Sequence, residues 1–154
     1  MQERSKEFDA ENALKRGSFA ITKATEGTLG ESVDDAVETI RNGLGLTDDE
    51  LEKLMIPMRE VLVNAIKHGN KHDPTKSVSI EYEATPERLT ISVTDEGKGF
   101  EVENIPDPFS EEGLTRESGR GILIMRSMLD GFEVVRHGTG CTVKLTKNRL
   151  SVKK

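Results

Sequence analysis

Apolar residues recur at helical spacing in two stretches of the chain. The first stretch predicts a helix from about Ser32 to Asn42-Gly43. The second begins at Thr47, where Thr47-Asp-Asp-Glu has the hydroxyl and the later carboxylate of a capping box. It would end near His68-Gly69-Asn70, and Pro57 inside it predicts a kink or a break. The apolar sides of the two helices would consist of Val33, Ala36, Val37 and Ile40, and of Leu51, Leu54, Met55, Met58, Leu62 and Ala65.

Alternating apolar and polar residues predict the strands. Residues 17–23 alternate in this way and predict an edge strand, and two further alternating runs flank the turn Pro86-Glu87-Arg88. Those two runs predict an antiparallel hairpin with one buried face, and residues 132–136 and 141–146 predict a second hairpin across His137-Gly-Thr-Gly. The apolar residues of the first hairpin are Val78, Ile80, Tyr82, Leu89, Ile91 and Val93.

A long loop separates the two hairpins. Gly97 to Ser118 holds prolines, acids and glycines, and loops of this length are usually functional lids or disordered. A helix from Gly121 would follow, with Ile122, Met125 and Leu129 on its buried side. This order predicts an α/β two-layer sandwich, with helices on one face of a mixed, mostly antiparallel sheet. Residues 1–16 are expected to form a flexible segment before a single domain over residues 17–148.

Composition narrows the class of protein. The chain has 154 residues, the length of one ordinary domain, and its net charge of -6 argues against a main role in binding nucleic-acid phosphates. No stretch approaches the ~18 apolar residues of a membrane span, and the first residues lack the apolar core of a signal peptide. The single cysteine, Cys141, cannot form an intramolecular disulfide and indicates a reducing compartment. We therefore expect a cytoplasmic protein that contacts neither nucleic acid nor membrane directly.

Polar residues on the second helix form the first candidate cluster. At about 100° per residue, Glu60, Asn64, Lys67 and His68 would share a third of the circumference, opposite the apolar stripe. A solvated helix face is the plain interpretation. Asn64, however, is a mediocre helix former in mid-helix, and a Mg²⁺ ion with phosphate oxygens would explain its amide.

Two glycine-containing motifs form the other candidate clusters. Asp95-Glu96-Gly97-Lys98-Gly99-Phe100 follows a strand; its glycines let backbone approach a flat ligand, and Asp95 can accept a hydrogen bond from an amine such as adenine N6. A plain turn is the alternative. Ser118-Gly119-Arg120-Gly121 opens a helix, whose free N–H groups would suit a phosphate together with the Arg120 guanidinium. An ordinary glycine-containing helix start is the alternative there.

The three clusters in this order resemble a known family. The run from about Thr47 to Thr146 resembles the GHKL (Bergerat) ATP-binding fold shared by gyrase, MutL and histidine kinases. It is most similar to the anti-sigma factor serine/threonine kinases, through Glu60–Gly69, Asp95–Phe100 and Gly119-Arg-Gly-Ile-Leu-Ile-Met-Arg-Ser-Met-Leu-Asp. A histidine kinase itself is not indicated, because no dimerisation helix pair with a phosphoacceptor histidine precedes these motifs.

The resemblance implies a role for each matching residue. Glu60 would be the general base, Asn64 would hold Mg²⁺, and Asp95 would read the adenine of ATP, with Thr142 behind the base. The remaining residues implied to bind ATP are His68, Gly97, Gly99, Phe100, Gly119, Arg120, Gly121 and Ile122.

The resemblance further implies an ATP-dependent protein serine/threonine kinase that acts as an anti-sigma regulatory factor. Such a kinase phosphorylates a STAS-domain anti-anti-sigma partner, sequesters a sigma factor and is compatible with a homodimer. Glu60 favours the kinase, because a protein that only binds nucleotide would not need a carboxylate there. The alternatives are a catalytically inactive ATP-binding switch or interaction module in a partner-switching pathway, and a scaffold that keeps only the fold.

Overall fold

Five strands form one sheet in the order β1-β2-β3-β5-β4, and each neighbouring pair is antiparallel. The computed structural model describes residues 15–97, 127–138 and 140–149, and for His137 the backbone alone. No parallel pair joins the strands within those ranges, so the mixed sheet that was predicted is antiparallel there. The strands are β1 (Lys15–Ile21), β2 (Val78–Ala84), β3 (Arg88–Asp95), β4 (Gly131–His137) and β5 (Gly140–Asn148).

Both predicted hairpins and the predicted edge strand are confirmed. β1 lies at one edge of the sheet and pairs with β2. It begins at Lys15, so residues 15 and 16 belong to the sheet rather than to the segment expected to be flexible. The turn between β2 and β3 closes where the Thr85 N–H donates to the Arg88 carbonyl, 2.9 Å away.

Helix α1 (Leu29–Leu44) packs its predicted apolar side into the core, where Val33 and Ile40 are fully buried. The helix extends past Asn42 and stops at Gly45, whose φ of 65° is left-handed. The Gly45 N–H closes the last turn by donating to the Arg41 carbonyl at 3.0 Å.

Helix α2 (Asp48–Asn64) begins with the predicted capping box, which is confirmed. The Thr47 hydroxyl accepts from the Glu50 N–H, and the Glu50 carboxylate accepts from the Thr47 N–H, both at 3.1 Å. Of the kink or break predicted at Pro57, the break was wrong, because the helix runs through this residue without interruption. Pro57 is buried, and core packing of Leu54 and Met58 on either side holds the helix despite the missing N–H.

The regularity of the helix changes after Asn64 instead. Residues Ala65–Gly69 form a π-helical turn, in which the Asn70 N–H donates to the Ala65 carbonyl five residues back at 2.8 Å. This π turn ends where the sequence predicted that the helix would end.

The core lies between the helices and one face of the sheet. Alternate residues of β2 and β3 enter it, and Leu145 enters it from β5. The other face of the sheet is polar and borders a shallow groove of about 470 Å³. Side chains of that face are Arg16, Ser18, Glu81, Glu83, Thr90, Ser92 and Lys144.

An ion pair fastens the end of β5 to the start of α2. The Arg149 guanidinium donates two hydrogen bonds to the Glu50 carboxylate, at 2.8 and 3.1 Å, and a third to the Thr85 carbonyl at 3.2 Å. Both charged side chains are only 14% exposed. Burial alone would raise the pKa of Glu50, but the hydrogen bonds from Arg149 and Thr47 outweigh it and hold that pKa below its ordinary value.

Among the residues that the structure describes, none of the helices combines the length and the apolar composition that a membrane crossing requires. Two sequence predictions fall largely outside these residues. They are the lid, of which Gly97 alone is described, and the helix from Gly121, of which residues 127 and 128 are seen to be helical.

Candidate functional site

A buried carboxylate stands at the end of the central strand β3. Asp95 is only 8% exposed, and it continues the series of β3 side chains that face the helices after Ile91 and Val93. Its Oδ1 atom accepts a hydrogen bond from the Gly97 N–H at 2.8 Å. The strand therefore delivers a carboxylate to the helix side of the sheet, and the following turn helps to orient it.

Glycines surround this carboxylate because no side chain would fit. A Cβ atom on Gly69, in the π turn, would overlap the Asp95 carboxyl group. One on Gly97 would lie 2.9 Å from Asp95 Oδ1 and 2.5 Å from the Gly69 carbonyl oxygen, and one on Gly140 would overlap the Asp95 backbone oxygen. The end of the helical segment, the end of β3 and the start of β5 thus meet around Asp95 through backbone alone. This close packing fixes the position of the carboxylate.

The polar face of α2 leads away from this point. Glu60 and Asn64 are one turn apart and half-buried, and the helical segment continues from Asn64 to Gly69 beside Asp95. With the α-helical rise of 1.5 Å per residue, about 12–14 Å separates Glu60 from Gly69 along the axis. A ligand that joins Asp95 to Glu60 must therefore be elongated.

The π turn alters the predicted arc of four polar residues. A residue in an i→i+5 turn advances by less than the α-helical 100°, so Lys67 and His68 do not keep the angles of a regular helix. Both lie exposed at the surface. Desolvation of its ring and the neighbouring Lys67 charge hold the pKa of His68 below its ordinary value, while Glu60 acts in the opposite direction. His68 and Glu60 are thus electrostatic neighbours.

Thr142 is not brought to the carboxylate. Its hydroxyl forms a hydrogen bond with the Thr94 hydroxyl at 2.8 Å. The side chains of Thr94 and Asp95 project from opposite faces of β3, so Thr142 lies on the face away from the Asp95 carboxylate. Cys141 is the residue paired with Asp95 across β3 and β5. Burial raises the pKa of the Cys141 thiol, and the adjacent Asp95 charge raises it further. Cys141, rather than Thr142, is therefore the β5 residue whose side chain lies beside the Asp95 carboxylate.

Asn70 is a second residue that the sequence interpretation missed. It is 3% exposed and directly follows the π turn, and its side-chain amide bridges the Ser77 carbonyl and the Glu96 N–H. The sequence signal is an asparagine beside a helix end, which by itself indicates only where the helix stops. A buried amide with both ends satisfied becomes recognisable once the partners are in place.

Six predicted ATP-binding residues lie outside the described part of the chain: Gly99, Phe100, Gly119, Arg120, Gly121 and Ile122. Within the described part, Asp95 and Gly97 meet the π turn that follows Asn64, and Glu60 and His68 lie along the same helical segment. The arrangement suits a ligand with a flat, amine-bearing end at Asp95. Its other end would reach the carboxylate and amide oxygens of Glu60 and Asn64.

The chain is similar in sequence to proteins named serine-protein kinase. The serine-protein kinase RsbW of Bacillus subtilis strain 168 is 32% identical over 114 residues, which cover 70% of this chain and 71% of that protein. The protein of the same name from Bacillus licheniformis is 32% identical with the same coverage. That of Staphylococcus aureus strain Newman is 27% identical over 110 residues, which cover 67% of this chain and 69% of that protein.

A match at the level of the family covers most of the chain. The family model of the histidine kinase-like ATPase domain matches residues 22–147, a span that includes all the site residues discussed above. The antiparallel sheet, with helices packed on one face, is the architecture expected of the GHKL fold. The chain belongs to the histidine kinase-like ATPase domain family.

Proposed function

We propose that this protein is an ATP-dependent serine/threonine kinase that acts as an anti-sigma regulatory factor. It phosphorylates a STAS-domain anti-anti-sigma partner and sequesters a sigma factor. The observation that carries the proposal is the position of Glu60 and Asn64 on the segment whose far end packs against the buried Asp95. Relatives named serine-protein kinase support the kinase class.

Asp95 would recognise the base of ATP. Its carboxylate would accept a hydrogen bond from the exocyclic amine of adenine, and the close packing of Gly69 and Gly97 would hold that carboxylate in place. A guanine or hypoxanthine base presents an oxygen at this position, which a carboxylate repels. The buried setting strengthens this selection, because an unsatisfied buried polar group costs about 1–3 kcal/mol.

Asn64 and Glu60 would act at the phosphate end. The donor set fits Mg²⁺, because this ion takes hard oxygen ligands and is usually held by one or two protein groups together with substrate phosphates. The Asn64 amide oxygen would supply such a ligand. ATP with Mg²⁺ supplies the transferable γ-phosphoryl group, and the predicted contacts of Gly119, Arg120 and Gly121 would steady its phosphates.

Glu60 would handle the proton of the acceptor hydroxyl. As the serine or threonine oxygen bonds to the γ-phosphorus and the bond to ADP breaks, the hydroxyl proton passes to the Glu60 carboxylate. Correct positioning and charge neutralisation supply most of the catalysis in phosphoryl transfer, and the base adds roughly 10²–10⁴-fold.

Two substitutions separate these roles. Glu60→Gln should keep ATP affinity and lower phosphotransfer by roughly 10²–10⁴-fold, whereas Asn64→Ala should weaken both. Nucleotide affinity is measured by calorimetry, and phosphotransfer by labelled phosphate on recombinant STAS-domain proteins. Glu52→Gln is the matched control, because this exposed carboxylate lies on the same helix and should leave both quantities unchanged.

The outcome also decides between the kinase and its alternative. If Glu60→Gln transfers phosphate as fast as the parent protein, Glu60 is not the base. If the parent binds ATP but transfers no phosphate to any STAS protein, the ATP-binding switch is the better assignment. If the parent binds no ATP at millimolar concentration, a scaffold that keeps only the fold is the better assignment.

A further inference from the structure

Buried polarity in the described part of the chain is concentrated at one place. Asn70 and Asp95 are the polar or charged residues found buried there, at 3% and 8% exposure. Gly69 precedes Asn70 in the chain and packs against Asp95, and the Asn70 side chain bonds to Glu96 in the turn that follows β3. A buried amide beside a buried carboxylate is costly to desolvate, and its geometry is therefore informative.

The Asn70 side chain joins two backbone segments. Its Nδ2 donates to the Ser77 carbonyl at 2.9 Å, just before β2, and its Oδ1 accepts from the Glu96 N–H at 2.8 Å, just after β3. The amide thereby ties the end of the helical segment to the ends of two neighbouring strands.

The backbone around Asn70 is held in an unusual path. The next two residues, Lys71 and His72, have φ angles of 54° and 58°, which residues other than glycine rarely adopt. The His72 N–H donates to the Ile66 carbonyl at 2.8 Å, and the Asp73 N–H donates to the Asn70 carbonyl at 3.0 Å. Left-handed residues of this kind persist only where surrounding contacts over-determine them.

Asn70 acts on Asp95 from two directions. Glu96, whose N–H it holds, lies between Asp95 and the Gly97 N–H that binds Asp95 Oδ1. Gly69, which packs against the other side of the carboxyl group, is the residue before Asn70. A change at Asn70 therefore releases both walls that orient the carboxylate, although the amide itself is bonded to backbone on each side.

We propose that Asn70 is a positioning residue for base selection: it aims the Asp95 carboxylate at the exocyclic amine of the purine. The inference rests on the proposed ATP binding and adds to it a determinant of specificity. Removal of the amide lets the carboxylate move by a few tenths of an ångström or more, which weakens the hydrogen bond to the amine but leaves phosphate contacts intact.

The test compares ATP with inosine triphosphate, which differs at the base by an oxygen in place of the amine. We expect the parent to prefer ATP by roughly 10–100-fold in calorimetry. Asn70→Ala should lower this ratio at least about fivefold, mainly through weaker ATP binding. Asp95→Asn, the reference variant, should abolish or reverse the preference.

Two further variants separate positioning from loss of stability. Leu44→Ala truncates a fully buried residue at the end of α1, and it should lower the melting temperature without changing the ratio. Asn70→Asp keeps an oxygen acceptor for the Glu96 N–H but loses the donor to the Ser77 carbonyl, so its ratio should also fall below the parental value.

The inference is overturned if Asn70→Ala keeps the parental ratio, or if Leu44→Ala lowers the ratio equally. A parent that binds both nucleotides equally well removes the inference but leaves ATP binding standing. A parent that binds neither nucleotide overturns the proposed function as well.

Discussion

A methyl group at Gly69 is expected to impair the site through one contact. In Gly69→Ala, the new Cβ would overlap the Cβ, Cγ and Oδ2 atoms of Asp95, which cannot simply swing away because Oδ1 is bonded to the Gly97 N–H. Overpacking of this kind costs about 1–3 kcal/mol. For a domain of this size, that loss lowers the melting temperature by roughly 2–12 °C.

The same methyl group should weaken ATP binding. A displacement of the carboxylate by about 0.5–1 Å stretches a 2.9 Å hydrogen bond beyond the useful range. If the bond to the adenine amine contributes about 1.5–3 kcal/mol, the dissociation constant for ATP rises roughly 10–100-fold. Calorimetric titration and a thermal melt, each with and without ATP, measure the two effects.

Gly30→Ala is the matched control for this substitution. Gly30 lies in the first turn of α1, exposed, with no atom within 4 Å of an added Cβ. Alanine there should leave ATP affinity unchanged and stabilise the fold by up to about 0.5 kcal/mol. Parental ATP affinity in Gly69→Ala, together with a melting temperature within a degree of the parent, would contradict the expected clash.

Two further predictions concern acid stability and the lone thiol. Because the pKa of Glu50 is lowered on folding, its pair with Arg149 stabilises the fold at pH values above 4.5, and this stability is lost as the pH falls through the folded-state pKa. Glu50→Gln should therefore have a lower melting temperature than the parent at pH 7, and the difference should shrink towards pH 3. A difference in melting temperature that does not depend on pH contradicts this prediction. At ten times its dissociation constant, ATP should slow alkylation of Cys141 by iodoacetamide about tenfold, measured by intact mass. In the double variant Cys141→Ser with Thr142→Cys, the thiol projects from the opposite face of the sheet, so ATP should not slow its alkylation. Equal protection by ATP in both proteins contradicts the assignment of Cys141 to the side of the sheet that binds ATP.

Most of the fold could be predicted because its signals are local. The alternation in β2 and β3 shows one buried face, and the capping box at Thr47 marks a helix start within four residues. Both depend on neighbours in sequence and need no knowledge of the tertiary structure. Some of the predictions that failed or shifted depend instead on tertiary packing.

The path of the helical segment from Asp48 to Gly69 is such a case. Pro57 carries a strong local signal for a break, yet its burial beside Leu54 and Met58 outweighs the lost hydrogen bond. The π turn after Asn64 carries no sequence period of its own, so regular helical spacing extended the predicted arc through Lys67 and His68. Tertiary packing overrode the local preference in the first case and the local regularity in the second.

The prediction of Thr142 instead of Cys141 beside Asp95 has a different cause, since the sequence itself shows which β5 side chains face the helices. Side chains alternate along a strand with a period of two, so a shift by one residue moves a side chain to the other face. Leu145 is an apolar residue of β5 and is buried, so counting back by two places Val143 and then Cys141 on the helix side. The resemblance led to a hydroxyl, whereas the alternation leads to the thiol. Thr142 lies on the face of the sheet away from the Asp95 side chain, so we expect Cys141, and not Thr142, to lie beside a base bound at Asp95.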